Sequence, residues 1–277
     1  MTAPQAEAEH TPETPGEPVV IFEDVSIGFE GKAVLSHISF TISRGETRLL
    51  LGPAGGGKSV LLKLTNGLLL PDSGRITVFG EVVNELPQKQ LFELRRRIGM
   101  VFQEGALFDS LTVRDNVAYQ LTEEHMPEEQ ATERVVEALR FVELEQTLDK
   151  FPSELSGGMR RRVAIARAIV SRPDLILYDS PTGGLDPITS TRIIELVMKQ
   201  RDVYHTTSVV VTHRLQDAFV LASHTFDREQ NQMVPTPEGQ TDSRTSFLVL
   251  NEGQLIFDGS TEDLVHSDDP FLKEYLT

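Results

Sequence analysis

The sequence predicts an α/β fold in which helices cover a parallel β-sheet and a β-rich region comes first. Short β-rich runs separated by glycine or polar turns begin near Pro18. A compact apolar run, RLLLG, passes through a glycine-rich loop into a helical pattern. In the second half, apolar runs such as LILYD and TSVVV alternate with helical segments, which is typical of a parallel sheet.

Residues 1–18 are expected to form a disordered tail. They are rich in Pro, Glu, Thr and Ala, and they lack the basic start and apolar core of a signal peptide. No apolar run in the chain approaches the roughly 18–20 residues that a membrane-spanning helix needs. Contact with a membrane is therefore expected only through a partner protein.

Residues 19–265 are expected to form one domain. VVIFEDVSIGF, VLSHISFTI and RITVFGEVV read as strands, and PQKQLFELRRRIGMVFQ as a helix followed by a strand. The patterns SLTVRDNVAYQL and MPEEQATERVVEALRFVEL predict a helical subdomain at about residues 105–160, in which Pro127 suits a first helical turn. A polar stretch at about residues 227–246 predicts a surface loop, and residues 266–277 form a separate C-terminal segment.

Charge and composition limit the classes of function. The formal net charge is −16, which argues against DNA or RNA as a partner because phosphate-backbone binders usually carry a basic stripe. The chain has no cysteine, so disulfides, thiolate metal sites and a cysteine nucleophile are excluded. It also has no internal repeat, so each chain carries a single copy of the motifs that follow.

A phosphate-binding loop is predicted at GPAGGGKS, which fits G-x-x-x-x-G-K-[ST] between a strand and a helix. Its glycines let backbone N–H groups surround phosphate oxygens, and the helix start adds positive partial charge. Lys58 is expected to reach the β- and γ-phosphates, and the Ser59 hydroxyl to bind Mg²⁺. Asp179 is expected to hold Mg²⁺ through water, although strand-end aspartates also cap turns. The expected nucleotide-binding residues here are Gly52, Pro53, Ala54, Gly55, Gly56, Gly57, Lys58 and Ser59.

LSGGM, followed by RRRVAIARAIV and LILYDS, resembles the signature region of the ATP-binding-cassette (ABC) family. The resemblance implies ATP and Mg²⁺ as cofactors. It also implies a P-loop NTPase fold with a RecA-like parallel-sheet core, an N-terminal antiparallel β subdomain and a helical signature subdomain. Ser156, Gly157 and Gly158 would then contact the γ-phosphate held by a second copy of the chain. A hydroxyl, free N–H groups and a helix dipole all favour an anion at this helix start.

The same resemblance, which covers about residues 19–225, assigns roles to isolated residues. Phe29 would stack on adenine, unless it is an ordinary strand residue. Gln103 would sense Mg²⁺ and the attacking water, and Asp186 would lie at the dimer seam. His213 would contact the γ-phosphate; taken alone, it would be better explained as a capping or buried structural histidine.

A narrower likeness involves GLDPITS, the methionine of LSGGM and the ending HSDDPFLKEYL. These features look like the ATPase subunit of Mla-type lipid transporters, which act with Mce-domain proteins. The likeness implies a homodimeric ATPase at the cytoplasmic face of the inner membrane, bound to an integral membrane permease and an Mce-domain lipid-binding protein. It implies phospholipids or other hydrophobic molecules as cargo. Residues 104–119 would contact the permease.

Ser180 departs from the family pattern, which has a glutamate after the strand-end aspartate. Serine can orient water but is not a useful base near pH 7, and general-base help is typically worth about 10²–10⁴-fold. Three interpretations remain. The chain is a slow ATPase in which Gln103 and His213 position the water, an ATP-gated regulatory clamp with little hydrolysis, or an ATPase that uses another carboxylate. A soluble ABC protein acting on ribosomes or DNA is the rival function, disfavoured by the single cassette and the acidic charge.

Overall fold

A computed structural model describes residues 16–237 and 241–276. The strands, in chain order, are β1 (Pro18–Phe29), β2 (Lys32–Ser43), β3 (Thr47–Leu51), β4 (Ser73–Val78), β5 (Glu81–Val82), β6 (Ile98–Val101), β7 (Leu175–Asp179), β8 (Thr207–Val211), β9 (His224–Asp227), β10 (Gln232–Pro235), β11 (Thr245–Asn251) and β12 (Gln254–Ser260). The helices are α1 (Lys58–Thr65), α2 (Gln88–Arg96), α3 (Val113–Glu123), α4 (Glu128–Phe141), α5 (Gly157–Ile169), α6 (Pro187–Tyr204), α7 (Leu215–Ser223), α8 (Thr261–Val265) and α9 (Pro270–Tyr275).

The central sheet has the order β12-β11-β3-β8-β7-β6. All neighbouring pairs are parallel except the antiparallel edge pair β11–β12. Every residue of β3, β7 and β8 is buried, which explains why each strand contains an unbroken run of aliphatic residues rather than an alternating pattern. The predicted parallel-sheet core is therefore confirmed.

A second sheet, with the order β2-β1-β4-β5, is antiparallel throughout. It packs on one face of the central sheet, and the side chain of Leu50 lies in the core between them. The rings of Phe22 and Phe40 stack within this core, with centroids 4.6 Å apart. Leu49 and Leu51 point to the opposite face, where the second core lies against the helices. The predicted antiparallel N-terminal subdomain is confirmed.

Helices α3, α4 and α5 pack together as the predicted helical part. Fully buried Val117, Leu121, Val135 and Leu139 provide the apolar contacts between α3 and α4. Asn116 is also fully buried, and its amide fixes the chain before α3. Its Nδ2 donates to the carbonyls of Phe108, Leu111 and Thr112, and its Oδ1 accepts from the N–H of Phe108.

Within the polar stretch at residues 227–246, the described parts, 227–237 and 241–246, differ from the predicted surface loop. Strand β10 pairs with β9, and Asp242 is 8% exposed. The guanidinium of Arg201 reaches Asp242 at 3.0 Å and also binds Asp202, while Arg244 binds both aspartates. The sequence does not predict this ordering, because the pairs Arg201–Asp242 and Arg244–Asp202 join groups that are far apart in the sequence.

The predicted disordered tail mostly falls on residues 1–15, which lie outside the described residues. Pro18, assigned to that tail, already begins β1. Among the described residues, no helix combines the length and apolar character needed to cross a bilayer.

Candidate nucleotide site

The phosphate loop connects the carboxyl end of β3 to the start of α1. Its glycines are required by geometry at two positions. A Cβ added to Gly52, whose φ is +140°, would lie 2.2 Å from the carbonyl oxygen of Leu250 on β11. A Cβ on Gly57, whose φ is +88°, would lie 2.6 Å from Leu35 Cδ2. The loop is therefore confined between β11 and the antiparallel sheet, with the unpaired N–H groups of the first turn of α1 at its end.

Lys58 is 4% exposed, and its ammonium is held by the loop itself. Nζ donates to the carbonyl of Gly52 at 2.9 Å and to that of Pro53 at 2.6 Å. Burial lowers the pKa of Lys58 below its ordinary value, an effect that the carboxylate of Asp179 opposes. A buried cation beside free N–H groups is a suitable environment for polyphosphate.

Ser59 and Asp179 come together across the sheet. The Ser59 hydroxyl donates to Asp179 Oδ1 at 3.1 Å. A hydroxyl and a single carboxylate fit Mg²⁺, which keeps several waters and takes few protein ligands when phosphates supply others. Within residues 16–237 and 241–276, no cluster of three or more His, Cys, Asp or Glu side chains has a metal-binding arrangement, as expected for such a sparse site.

Ser180 follows Asp179 and has an unusual conformation. Its φ is +48°, and the residue is 2% exposed. Its N–H donates to the carbonyl of Val211 at 3.0 Å, and its own carbonyl accepts from Gly183 N–H at 2.9 Å. Its hydroxyl is buried and has no hydrogen-bond partner among the described residues. The backbone is therefore fixed, while the side chain leaves one polar group available at the end of β7.

Gln103 and His213 lie near this strand end. A Cβ on Gly183 would lie 3.5 Å from Gln103 Nε2, so the amide of Gln103 faces the turn after Ser180. Burial and the charge of Lys58 lower the pKa of His213, against the opposing effect of Asp179. His213 is therefore neutral near pH 7, and its ring can accept a proton or a hydrogen bond.

Phe29 ends β1 at the hairpin that leads into β2, and it is 44% exposed. It pairs with Lys32 in the antiparallel register. The start of β2 also faces the phosphate loop, because Val34 and Leu35 are the groups nearest to a Cβ at Gly57. An exposed aromatic ring therefore lies on the hairpin beside the loop.

The predicted signature residues form a second group, at the start of α5. Ser156 caps this helix by accepting from the N–H of Met159 at 3.2 Å. A Cβ on Gly158 would lie 2.5 Å from Thr189 Cγ2, so the start of α5 packs closely on the start of α6. Asp186 caps α6 by accepting from Thr189 N–H at 3.0 Å.

The family model described as ABC transporter matches residues 35–183. This chain belongs to the ABC transporter family. The intermembrane phospholipid transport system ATP-binding protein MlaF of Escherichia coli (strain K12) is 34% identical over 259 residues, covering 93% of this chain and 88% of that protein. The methionine import ATP-binding protein MetN 2 of Paraburkholderia xenovorans is 41% identical over 212 residues, covering 75% of this chain and 54% of that protein.

A solved structure described as the dimeric post-hydrolysis state of the ATP-binding cassette MJ0796 bound to ADP and Pi has the same architecture as this ABC cassette. The TM-score is 0.72 at 29% identity, over 87% of this chain and 98% of that chain. The cassette is thus an ATPase of the ABC type, and its nucleotide is ATP.

Sequence reasoning gave no role to Arg161, which the structure places in this ABC cassette beside Ser180. Arg161 is 6% exposed, and its guanidinium donates to the carbonyls of Ser180 at 3.1 Å and Gly183 at 3.2 Å. It therefore holds the turn that carries Ser180. Helical spacing places Arg161 on the same face as buried Ala164 and Ile165, and this was the signal in the sequence.

A second contact, which the sequence does not predict, stabilises the residues that follow Ser180 in the turn after β7. The Thr182 hydroxyl donates to Asp217 Oδ2 at 2.5 Å, and both residues are buried. Arg214 Nε lies 3.7 Å from the same Asp217 oxygen. The turn after β7 is thus tied to both α5 and α7.

Proposed function

We propose that this ABC cassette couples ATP-driven closure of a homodimer to lipid movement by a membrane permease and an Mce-domain partner. The observation that carries this proposal is that the chain has two groups suited to phosphate on different elements, the phosphate loop between β3 and α1 and the signature group at the starts of α5 and α6. Each group offers helix N–H groups to an anion, and the ABC family likeness implies that the two groups that bind one ATP come from different copies of the chain.

A second copy of the chain would supply the missing side. In a two-fold symmetric dimer, each phosphate loop faces the partner's signature helix, and both sites form at once. Ser156, Gly157 and Asp186 are exposed, as residues at such a seam must be before closure. The solved dimeric cassette supports this geometry, since it has the same fold over most of the chain.

Within each site, we assign the roles that the sequence predicts. Phe29 stacks on adenine, Lys58 binds the β- and γ-phosphates, and Ser59 and Asp179 hold Mg²⁺. Gln103 also contacts Mg²⁺, and with His213 it positions the attacking water. The remaining phosphate contacts come from residues 52–57 of one copy and from Ser156, Gly157 and Gly158 of the other, and Asp186 lies at the dimer seam beside the bound nucleotide. Phosphoryl transfer depends mainly on positioning and charge, so these groups can support hydrolysis without a strong base.

Lipid as the cargo rests on the extent of the likeness. The phospholipid-transport relative matches 93% of this chain, whereas the methionine-import relative matches 75%. The longer match includes more of the chain beyond the shared cassette, so we favour a phospholipid or related hydrophobic molecule. The chain would act at the cytoplasmic face of the inner membrane, bound to its permease. No nucleic-acid partner is proposed, because the chain carries a net charge of −16.

The permease would dock on an apolar groove beside Gln103. This groove encloses about 270 Å³ and is lined in part by Met100, Phe102, Phe108 and Tyr119. Phe108 and Tyr119 are 43% and 44% exposed, and their ring centroids lie 4.8 Å apart. Because Phe102 immediately precedes Gln103, movement in the groove would reach the nucleotide site through the backbone.

A regulatory clamp is the second candidate function, and Ser180 favours it. The position after Asp179 offers a buried hydroxyl instead of a carboxylate, and a hydroxyl cannot act as a base near pH 7. Such a cassette would bind ATP, close and remain closed.

The deciding experiment is steady-state ATP hydrolysis by the complex of this chain with its permease, with Ser180→Glu and Lys58→Ala for comparison. Hydrolysis well above that of Lys58→Ala would establish a working transport ATPase in which other groups manage the water. Hydrolysis equal to that of Lys58→Ala, with turnover restored by Ser180→Glu, would establish the clamp. Failure of both this chain and Ser180→Glu to hydrolyse ATP would contradict the proposed transport function.

A further inference from the structure

The C-terminal helix α9 reaches the phosphate loop. The hydroxyl of Tyr275 accepts from Gly52 N–H at 3.1 Å and donates to the Gly52 carbonyl at 3.2 Å. Gly52 is the first residue of the loop, and it lies 223 positions before Tyr275 in the sequence. The same carbonyl accepts from Lys58 Nζ at 2.9 Å. One backbone oxygen therefore joins the C-terminal helix to the cation of the nucleotide site.

Helix α9 is held in place independently of this hydroxyl. Asp269 caps it by accepting from the N–H groups of Phe271 and Leu272. Leu272 is 1% exposed and packs in the core between the central sheet and the helices. The rings of Phe271 and Tyr275 stack with centroids 5.7 Å apart. Removal of the hydroxyl alone should therefore leave the helix in position.

The chemistry of the tyrosine suits this contact. A phenol both donates and accepts, so a single oxygen can bind the N–H and the carbonyl of one residue. Burial raises the pKa of Tyr275 above its ordinary value, against the effect of the Gly52 hydrogen bond. The Tyr275 hydroxyl therefore keeps its proton near neutral pH and can donate the hydrogen bond that the Gly52 carbonyl accepts.

The backbone of Gly52 is also confined on the side away from Tyr275. Its Cα faces the Leu250 carbonyl of β11, where even a Cβ would not fit. Tyr275 thus restrains the backbone of Gly52 on the side away from Leu250. The orientation of the Gly52 carbonyl in turn restricts the position of the Lys58 ammonium, which donates to it. A loop held in one conformation before binding loses less entropy when phosphates arrive.

We propose that Tyr275 is a positioning residue of the ATP site, which orients the first peptide of the phosphate loop through its hydroxyl. The proposal rests on the nucleotide site described above and adds the C-terminal helix to it. Its consequence is that ATP affinity depends on a residue outside the motifs of the phosphate loop.

The test is the dissociation constant of MgATP for the full-length chain, measured for the unmodified protein, Tyr275→Phe and Tyr204→Phe. Tyr204→Phe is the matched control, because it removes a phenol hydroxyl at the end of α6. Loss of one hydrogen-bonding group is expected to weaken MgATP binding about 3- to 10-fold in Tyr275→Phe. Tyr204→Phe should bind as the unmodified chain does.

Two further measurements separate positioning from a general loss of stability. The melting temperature of Tyr275→Phe should stay close to that of the unmodified chain, since Leu272 still anchors the helix. Amide hydrogen exchange should increase in the peptide covering residues 48–57 and stay unchanged in α6. Unchanged MgATP affinity in Tyr275→Phe would overturn the proposal. Weaker binding accompanied by a lower melting temperature and by faster amide exchange throughout the chain would overturn it as well. If the unmodified chain itself failed to bind MgATP, the nucleotide site would be wrong, which is a different failure.

Discussion

At the scale of single residues, the two glycines of the signature helix differ although they are adjacent. A Cβ on Gly158 would lie 2.5 Å from Thr189 Cγ2, whereas one on Gly157 would lie 3.8 Å from Leu185, an ordinary contact. Gly158→Ala should therefore destabilise the isolated chain by about 1–3 kcal/mol, the usual cost of overpacking. Gly157→Ala should be neutral or slightly stabilising, because alanine favours a helix. Thermal or urea unfolding of both variants measures the difference.

Thr189, whose methyl group would clash with the added Cβ in Gly158→Ala, provides a control. Thr189→Ser removes the methyl group and retains the hydroxyl, so it should restore most of the stability that Gly158→Ala loses. Equal stability of Gly158→Ala and Gly157→Ala would show that α5 and α6 move apart at no cost, contrary to the packing described above.

Single residues also show what a sequence can predict about this site. Lys58, Ser59 and Asp179 could be predicted because contiguous motifs place them at the start of a helix or the end of a strand, and the structure brings Ser59 and Asp179 within hydrogen-bond distance. Arg161 and Tyr275 could not, because their contacts depend on how distant segments pack. Tyr275 and Gly52 are 223 positions apart, and no local pattern connects them.

At the scale of elements, the first turn of α3 gives different environments to two neighbouring charged residues, Arg114 and Asp115. Both Arg114 and Asp115 were predicted to face the permease. The Asp115 carboxylate accepts from the Thr112 hydroxyl at 2.6 Å, and Thr112 caps α3, so a charge reversal there would damage the helix start. The Arg114 side chain is 39% exposed, and its Nη2 lies 3.5 Å from Asp149 Oδ1, a long contact. Arg114→Glu is therefore the cleaner charge reversal of the two.

The exposed ring of Phe108, in the segment before α3, allows a more specific test of the proposed docking of the permease on the apolar groove. Phe108→Ser should reduce the amount of permease that co-purifies with the chain several-fold, because apolar residues at the centre of an interface supply most of its binding free energy. Phe92→Ser is the matched control, since Phe92 on α2 is 49% exposed and lies outside the groove. MgATP affinity should be unchanged in both variants. Normal recovery of permease with Phe108→Ser would place the docking surface elsewhere.

Strands and helices with regular apolar patterns were predicted well, and the polar stretch at residues 227–246 was not. β3, β7 and β8 each contain an unbroken run of three aliphatic residues, so burial of the strand on both faces could be inferred directly. Strand β10 and buried Asp242 depend instead on Arg201 and Arg244, whose charges are compensated only in the folded chain. Local composition correctly indicates that such a segment is polar but gives no information about long-range ion pairs.

At the scale of the whole molecule, the absence of a carboxylate at Ser180 predicts a long-lived dimer. With MgATP, the isolated chain should elute at twice the 30.8 kDa of one chain, and with ADP it should elute as a monomer. Ser180→Glu should shorten the lifetime of the dimer by restoring hydrolysis, and Lys58→Ala should prevent dimer formation. Size-exclusion chromatography with light scattering measures each state. A monomer under every condition would contradict closure driven by ATP alone.

The order of the central sheet also governs when the nucleotide site can form during synthesis. Strand β3 pairs with β8 on one side and with β11 on the other, and both neighbours come from the second half of the chain. A ribosome makes the phosphate loop early, but the two strands that support it emerge late. The growing chain must therefore remain without a complete ATP site until nearly all of the domain has been translated, and folding waits for contacts between distant segments, which is intrinsically slow. An incomplete chain, released before β11, would contain the whole phosphate-loop motif and still be unable to bind ATP.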